Sequence, residues 1–261
     1  MKKNALILIL CLPCVLFAQV ESVWNPSHYA FLYHPYVQFG AQGYAALKEA
    51  AAVDAAIAFP LAGSEALCAQ FSNLFLAGFR QTEVSVSFAR HYARRLSFAM
   101  GCSYVSLGFS DAYYGRKQGV AVSFASCFRV KDACCIGMQW KNPFGLPYFV
   151  EGEQRERIPS VLRLSGMYRC SDEVIAYGDY AQDFCGSAHL TLGVDVSPLN
   201  GLRLFTALRY PDVQLTFGAG CEGKRFRYAV HCACSRPLGM TVGLLFGTSG
   251  ISTSEIFAQD E

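Results

Sequence analysis

The feature that most restricts this chain is a side-chain period of two. Val213, Leu215, Phe217, Ala219 and Cys221 share one face, and Gln214, Thr216, Gly218 and Gly220 share the other. From Phe226 to Cys234 the apolar face is Phe226, Tyr228, Val230, Cys232 and Cys234, set against Arg227, Ala229, His231 and Ala233. Leu190 to Val196, Leu202 to Leu208, Val84 to Phe88 and Met240 to Phe246 alternate in the same way. This is the period of a β-strand. The segments run about 9–13 residues, longer than the roughly 5–6 of soluble strands and suited to a tilted membrane crossing. A soluble β-sandwich alternates too, so alternation alone leaves both architectures open.

The N-terminus narrows the choice. Lys2 and Lys3 precede the apolar run Ala5 to Phe17, and Ala18 offers a small residue before Gln19. That order reads as a cleaved secretory signal over residues 1–18. Beyond it, no apolar run reaches the roughly 20 residues a membrane helix needs. Val53 to Phe59 is interrupted by Asp54, and Gly243 to Gly247 is far too short. The exported chain is therefore either soluble or a closed barrel, since in lipid every backbone group must be paired. Composition favours the barrel. Charged residues are 16% and hydrophobics 52%, against about 25% charged in soluble domains. The net charge of +2, with no basic run, argues against nucleic acid as a partner.

About 14 strand-like segments, with 12 as a lower bound, follow from the alternation. They lie near 36–45, 52–60, 65–73, 82–91, 95–107, 118–129, 133–141, 158–170, 173–181, 187–196, 202–210, 212–221, 225–235 and 239–247. Connections after even strands are short. Several after odd strands are longer, notably 74–81, 108–117 and 142–157. Short turns on one side and long loops on the other describe an all-β, single antiparallel transmembrane barrel of the outer membrane. The apolar faces meet lipid, and the small and polar faces line the lumen. The expected organisation is a signal peptide over 1–18, a short segment over 19–35, the barrel over 36–247 and a tail over 248–261.

Two of the 12 cysteines, Cys11 and Cys14, fall in the leader. Cys221, Cys232 and Cys234 lie on apolar faces, and the adjacent Cys134 and Cys135 point to opposite faces. In such places Cys acts as a small hydrophobe, although an export compartment also permits disulfides. No C-x-x-C pair is accompanied by His, which argues against structural zinc. The histidines form neither H-x-x-x-H nor H-E-x-x-H, and no G-x-S-x-G singles out a serine. The expectation is a non-enzymatic protein with no cofactor. Arg163, Arg169, Arg203, Arg209, Arg225 and Arg227 fall on the inner faces, with Asp54, Asp179, Asp195 and Glu222 as partners. Arg203, Arg209, Arg227, His231 and Asp195 are the candidate lumen or ligand residues. A salt-bridge network stiffening the lumen explains them as well as a solute site does. His231 is a candidate partner of Asp195 or Glu222. The acidic and basic run Glu151 to Arg157 reads as a hydrated external loop, the segment most open to proteases.

Several short elements then form an ordered set: Asn25-Pro26, Asn142-Pro143, Ile158-Pro159, Phe217-Gly218-Ala219-Gly220 and Leu238-Gly239. Over roughly residues 25–247 this set resembles the FadL-like outer-membrane barrels, which are related to long-chain fatty-acid transporters. Barrels associated with type IX secretion in Bacteroidetes belong to the same group. The resemblance implies a 14-stranded barrel in outer-membrane lipid that transports apolar small molecules or works beside secretion-system proteins. A structural barrel that binds a partner protein is the alternative, and a soluble exported β-protein the third reading. Two departures are expected. The stretch from Gln19 to Tyr33 is too short for the family's full N-terminal plug. The last residues, Phe257 to Glu261, lack a terminal aromatic, a role open to Phe246.

Overall fold

The computed structural model describes residues 25–248 except 33, 45–49, 62–63, 93–94, 111–114, 132, 150–155, 185, 224 and 236–238. The expected leader lies outside the described residues, as does the expected C-terminal tail apart from Thr248, which ends the last strand. Leu238 of the Leu238-Gly239 pair and the run Glu151 to Arg155 lie outside them too. The first seven strands are β1 (Tyr36–Tyr44), β2 (Ala51–Pro60), β3 (Glu65–Leu76), β4 (Phe79–Tyr92), β5 (Leu96–Phe109), β6 (Arg116–Lys131) and β7 (Cys134–Lys141). The second seven are β8 (Val161–Arg169), β9 (Val174–Asp183), β10 (Ala188–Leu199), β11 (Leu202–Tyr210), β12 (Gln214–Glu222), β13 (Phe226–Ser235) and β14 (Gly239–Thr248). Each strand pairs antiparallel with its neighbours in sequence, and β1 pairs with β14. The sheet closes on itself and leaves no edge, which is what lets strands cross a bilayer.

Facing follows the alternation. Gln214 and Thr216 are buried while Leu215 and Phe217 are exposed. Arg227 and His231 are buried between exposed Phe226, Tyr228 and Val230. On β10, Leu192 is 55% exposed and its neighbour Thr191 only 5%. Large apolar side chains outside and polar ones inside is the reverse of a soluble domain, and it is favourable against lipid. The protein is a transmembrane β-barrel.

The structure corrects the expected loop over 74–81. β3 and β4 run through it and meet at the two-residue turn Ala77-Gly78. Gly78 has φ +79°, which a tight hairpin needs and glycine supplies without steric cost. Leu74 and Phe79 are also inward and buried with Leu107, so the hairpin continues the strand pattern to its tip. Connections after odd strands therefore include this two-residue turn as well as the longest segment, between Lys141 and Val161. Parity alone does not separate the two rims.

Within the described residues the N-terminal segment enters the lumen as one short helix, in keeping with a stretch too short for a full plug. Pro26–Phe31 forms a 3₁₀ helix buried inside the barrel against β2 to β6. Asn25 caps it by accepting from the Ser27 backbone N–H, and Pro26 sets φ at the first helical position.

Candidate functional site

The plug is held at several points. Asn25 Nδ2 donates to the Ser126 carbonyl at 3.0 Å and to the Met138 carbonyl at 3.4 Å, on the paired strands β6 and β7. Its Oδ1 accepts from Ser27 N at 3.1 Å and from Ser27 Oγ at 2.5 Å. Gly137 makes this approach possible, because a Cβ there would lie 2.7 Å from Asn25 Nδ2. Phe31 is clamped between the His91 ring, stacked at 5.3 Å, and the Arg129 guanidinium, 3.9 Å from the ring centroid. His91 Nδ1 lies 2.7 Å from the Ala30 carbonyl. Burial pushes the Tyr29 phenol well above its ordinary range, and the nearby Tyr36 pushes it further.

The connection between β7 and β8 closes the other end. Asn142, fully buried, adopts φ +52°, a left-handed conformation that Asn tolerates better than most residues. Its Nδ2 donates to the carbonyls of Ile158 at 2.7 Å and Leu146 at 3.3 Å, and its Oδ1 accepts from Leu146 N at 2.9 Å. Tyr148 N donates to the Glu156 carbonyl at 2.9 Å, and Phe149 N donates to the Gln118 carbonyl. Pro147 and Arg157 are bridged. Tyr148 and Ile158 are buried with Tyr44, Leu74 and Leu107. The described base of this segment is therefore an inward-folded cap, and residues 150–155 lie outside the described residues. Glu156 and Arg157 remain exposed. The Tyr148 phenol is raised by burial, and then by the charges of Glu83 and Glu156.

Between plug and cap lies a chamber of about 150 Å³ that touches Pro26 on one side and Tyr148, Ile158 and Pro159 on the other. Ser72, Ser85, Ser87, Ser103 and Ser123 line one wall, with Gln70, Gln81 and Gln139 among them. Serine is the smallest side chain that can hydrogen-bond through a hydroxyl, so this wall leaves room and remains polar. Two ion pairs lie in or beside it. Lys141 Nζ lies 2.5 Å from Glu83, and Arg163 Nε lies 3.0 Å from Asp179. Asp54 also faces the chamber, packed over Gly40, where a Cβ would collide with the carboxylate.

The arginines and acids expected inside sit mostly elsewhere. Arg203 pairs with Asp195 and lies 3.7 Å from Glu222. Arg227 donates to the Tyr36 hydroxyl and, at 3.0 Å, to Gln38 Oε1. Arg203, Arg227 and His231 line a second, smaller cavity of about 40 Å³ with Phe205 and Glu222. Arg209 is buried and lies in the field of Asp179, which Arg163 shares. Of the five candidates Arg203, Arg209, Arg227, His231 and Asp195, all face inward and none lines the main chamber. The expected pairing of His231 with Asp195 or Glu222 is not made. Both acids turn to Arg203, and the imidazole packs over Gly243, where a Cβ would lie 2.1 Å from Nε2. Arg225 is not on an inner face. It is exposed in the β12–β13 connection, and Arg169 is half-buried at the end of β8.

The serines were missed because single Ser residues on alternating strands carry no motif. Their signal was the small-residue face of β4 to β6 read across strands. The cysteines divide. Cys234 is exposed on the lipid face, whereas Cys68, Cys127 and Cys135 are buried inside, and Cys135 lies opposite in facing to Cys134 as the alternation expects.

Known proteins of similar structure are channels. The Pseudomonas putida toluene transporter TodX superposes with a TM-score of 0.61 at 9% identity, over 86% of this chain and 90% of that one. The Ralstonia pickettii toluene transporter TbuX gives 0.63 at 10%, over 86% and 91%. The CymD monoaromatic hydrocarbon channel gives 0.60 at 8%, over 88% and 92%. No family model and no curated protein matches the sequence. At such low identity the likeness establishes a common closed-barrel fold.

Proposed function

We propose that the protein is a FadL-like channel of the outer membrane that passes small solutes about the size of one ring, each bearing at least one hydrogen-bonding group. The observation that carries this reading is the chamber enclosed between plug and cap. A cavity near 150 Å³ accommodates a benzene-sized molecule, and a wholly apolar one of that size stays dry. Here serine and glutamine side chains stand in a lining that is otherwise largely apolar, and that wall offers partners to a single hydroxyl or carboxyl. A pure hydrocarbon would desolvate that wall and return nothing to it. The similar channels named above carry hydrocarbons by name, which supports transport over a secretion-associated role.

The test is uptake into proteoliposomes of the purified protein, with toluene and p-cresol as matched probes. Faster entry of p-cresol than of toluene, relative to empty vesicles, supports the proposal. Faster toluene entry favours the apolar reading and overturns the polar one. No entry of either above background leaves a structural barrel.

A further inference from the structure

Three donor groups from distant parts of the chain meet at the plug. One imidazole nitrogen of His28, Cys127 Sγ of β6 and Cys135 Sγ of β7 all lie within 4.8 Å of one another. The two sulfurs are 2.9 Å apart, beyond the roughly 2.05 Å of a disulfide. Cys135 is opposite Arg129 in the ladder, so the two thiols sit diagonally on the inner face. The Asn25 anchor and the bare Cα of Gly137 bring the plug down to them. A Cβ at 137 would lie only 3.5 Å from His28 Nε2.

His28 supplies the independent observation. It is 5% exposed, and among the described residues its ring nitrogens find no well-formed hydrogen bond, only the approach of the Cys135 thiol. A buried polar group left unpaired costs stability and calls for an explanation. A shared ion answers it, since one ion bonded at about 2.3 Å to sulfur and about 2.0 Å to nitrogen spans a gap of this size with small side-chain adjustment. Two thiolates and an imidazole form a soft to borderline set that selects zinc or copper(I) over magnesium or calcium. Met167, opposite Cys135 and buried, places a thioether beside them. The Arg129 guanidinium across the ladder helps balance the thiolate charge.

We propose that His28, Cys127 and Cys135 bind one soft d10 cation, zinc(II) or copper(I), and that this ion fastens the plug to the barrel wall. Uptake is a ligand exchange without redox. The two thiols release their protons to solvent, and the imidazole binds in its neutral form.

The test uses the full chain, folded in detergent and kept reduced. It is loaded with zinc(II), or anaerobically with copper(I), then desalted and assayed for metal. One retained ion per chain is expected, and the arm that retains it identifies the metal. Cys127→Ser, Cys135→Ala and His28→Gln should lose the ion, whereas Cys234→Ser, on the lipid face, should keep it. Heat-dependent gel mobility confirms that each variant is a folded barrel. The ion should also slow proteolysis of the N-terminal segment in the parent chain and not in the variants. Metal retained equally by all folded variants overturns the proposal. So does reduced parent protein that retains no ion in either arm. A Cys127–Cys135 disulfide that re-forms in preference to metal binding overturns it as well.

Discussion

Two Asn-Pro segments stopper this barrel, and they are held by opposite means. The cap opened by Asn142-Pro143 is tied largely to itself. Asn142 bonds to Leu146 and Ile158, Tyr148 bonds to Glu156, and Pro147 bridges to Arg157, all within one connection. The plug opened by Asn25-Pro26 is tied to the wall. Its anchors are the carbonyls of Ser126 and Met138 and the His91 ring and Arg129 guanidinium about Phe31, with the thiols of Cys127 and Cys135 close to His28. A segment that satisfies its own backbone stays folded wherever it sits. One whose polar groups are satisfied by the wall is ordered only while docked.

The sharpest way to break this contrast is to remove each asparagine. Asn142→Ala takes the side-chain donor from the Ile158 carbonyl and the acceptor from the Leu146 N–H, and puts alanine at a left-handed φ. We expect a loss of about 3–5 kcal/mol, read as a lower urea midpoint for the whole barrel. Asn25→Ala should cost about 1–2 kcal/mol, as for a lost cap, and should appear as faster proteolysis of the N-terminal segment with the barrel midpoint nearly unchanged. Gly137→Ala should copy Asn25→Ala, since the added methyl takes the space of the Asn25 amide. A barrel midpoint shifted as far by Asn25→Ala as by Asn142→Ala would remove the distinction.

The contrast also shows what the sequence could carry. The barrel was legible because strand facing is a local property with period two. Leu192 outside and Thr191 inside could be read from either one's neighbours. The hairpin at Gly78 was misplaced because Phe75 to Gln81 holds aromatic and charged side chains that blur the alternation, although the structure keeps it. The Asn-Pro pairs stood out as residues, yet their partners, 101 and 113 positions away for Asn25, had no local trace. The same distance hid the site of His28 with Cys127 and Cys135, which no spacing rule for metal ligands contains. The ion pairs of Arg203 with Asp195 and Glu222 were within reach, because strands adjacent in sequence are adjacent in a barrel.

Alkaline titration gives a smaller separation. Tyr29 in the plug and Tyr148 in the cap both have phenols raised by burial. Unfolded phenols titrate near pH 10. The folded forms hold their protons longer, so the stability of each segment is intact below about pH 10 and falls as pH rises towards the folded value. The slope is at most about 1.4 kcal/mol per pH unit for each tyrosine. Tyr29→Phe should extend protease resistance of the plug to higher pH, and Tyr148→Phe should do so for the cap. An unchanged profile in both variants would show that other tyrosines govern the alkaline limit.

The smallest expected effect tests how much the cap owes to its tie with the wall. Lys117 Nζ lies 2.5 Å from Glu156 Oε2, but the Glu156 side chain is 47% exposed while that of Lys117 is 10% exposed. Solvent screens such a pair, so its worth is that of a partly exposed ion pair, below about 1 kcal/mol. Glu156→Gln keeps the length of the side chain and the Glu156 backbone carbonyl that accepts from Tyr148. The cap should stay in place with a fall in stability under about 1 kcal/mol, smaller still at high salt. The same change removes one of the two carboxylates that raise the Tyr148 phenol, so that phenol should titrate at lower pH in the variant. A larger loss of stability, on the scale expected for Asn142→Ala, would mean that the wall holds the cap as it holds the plug.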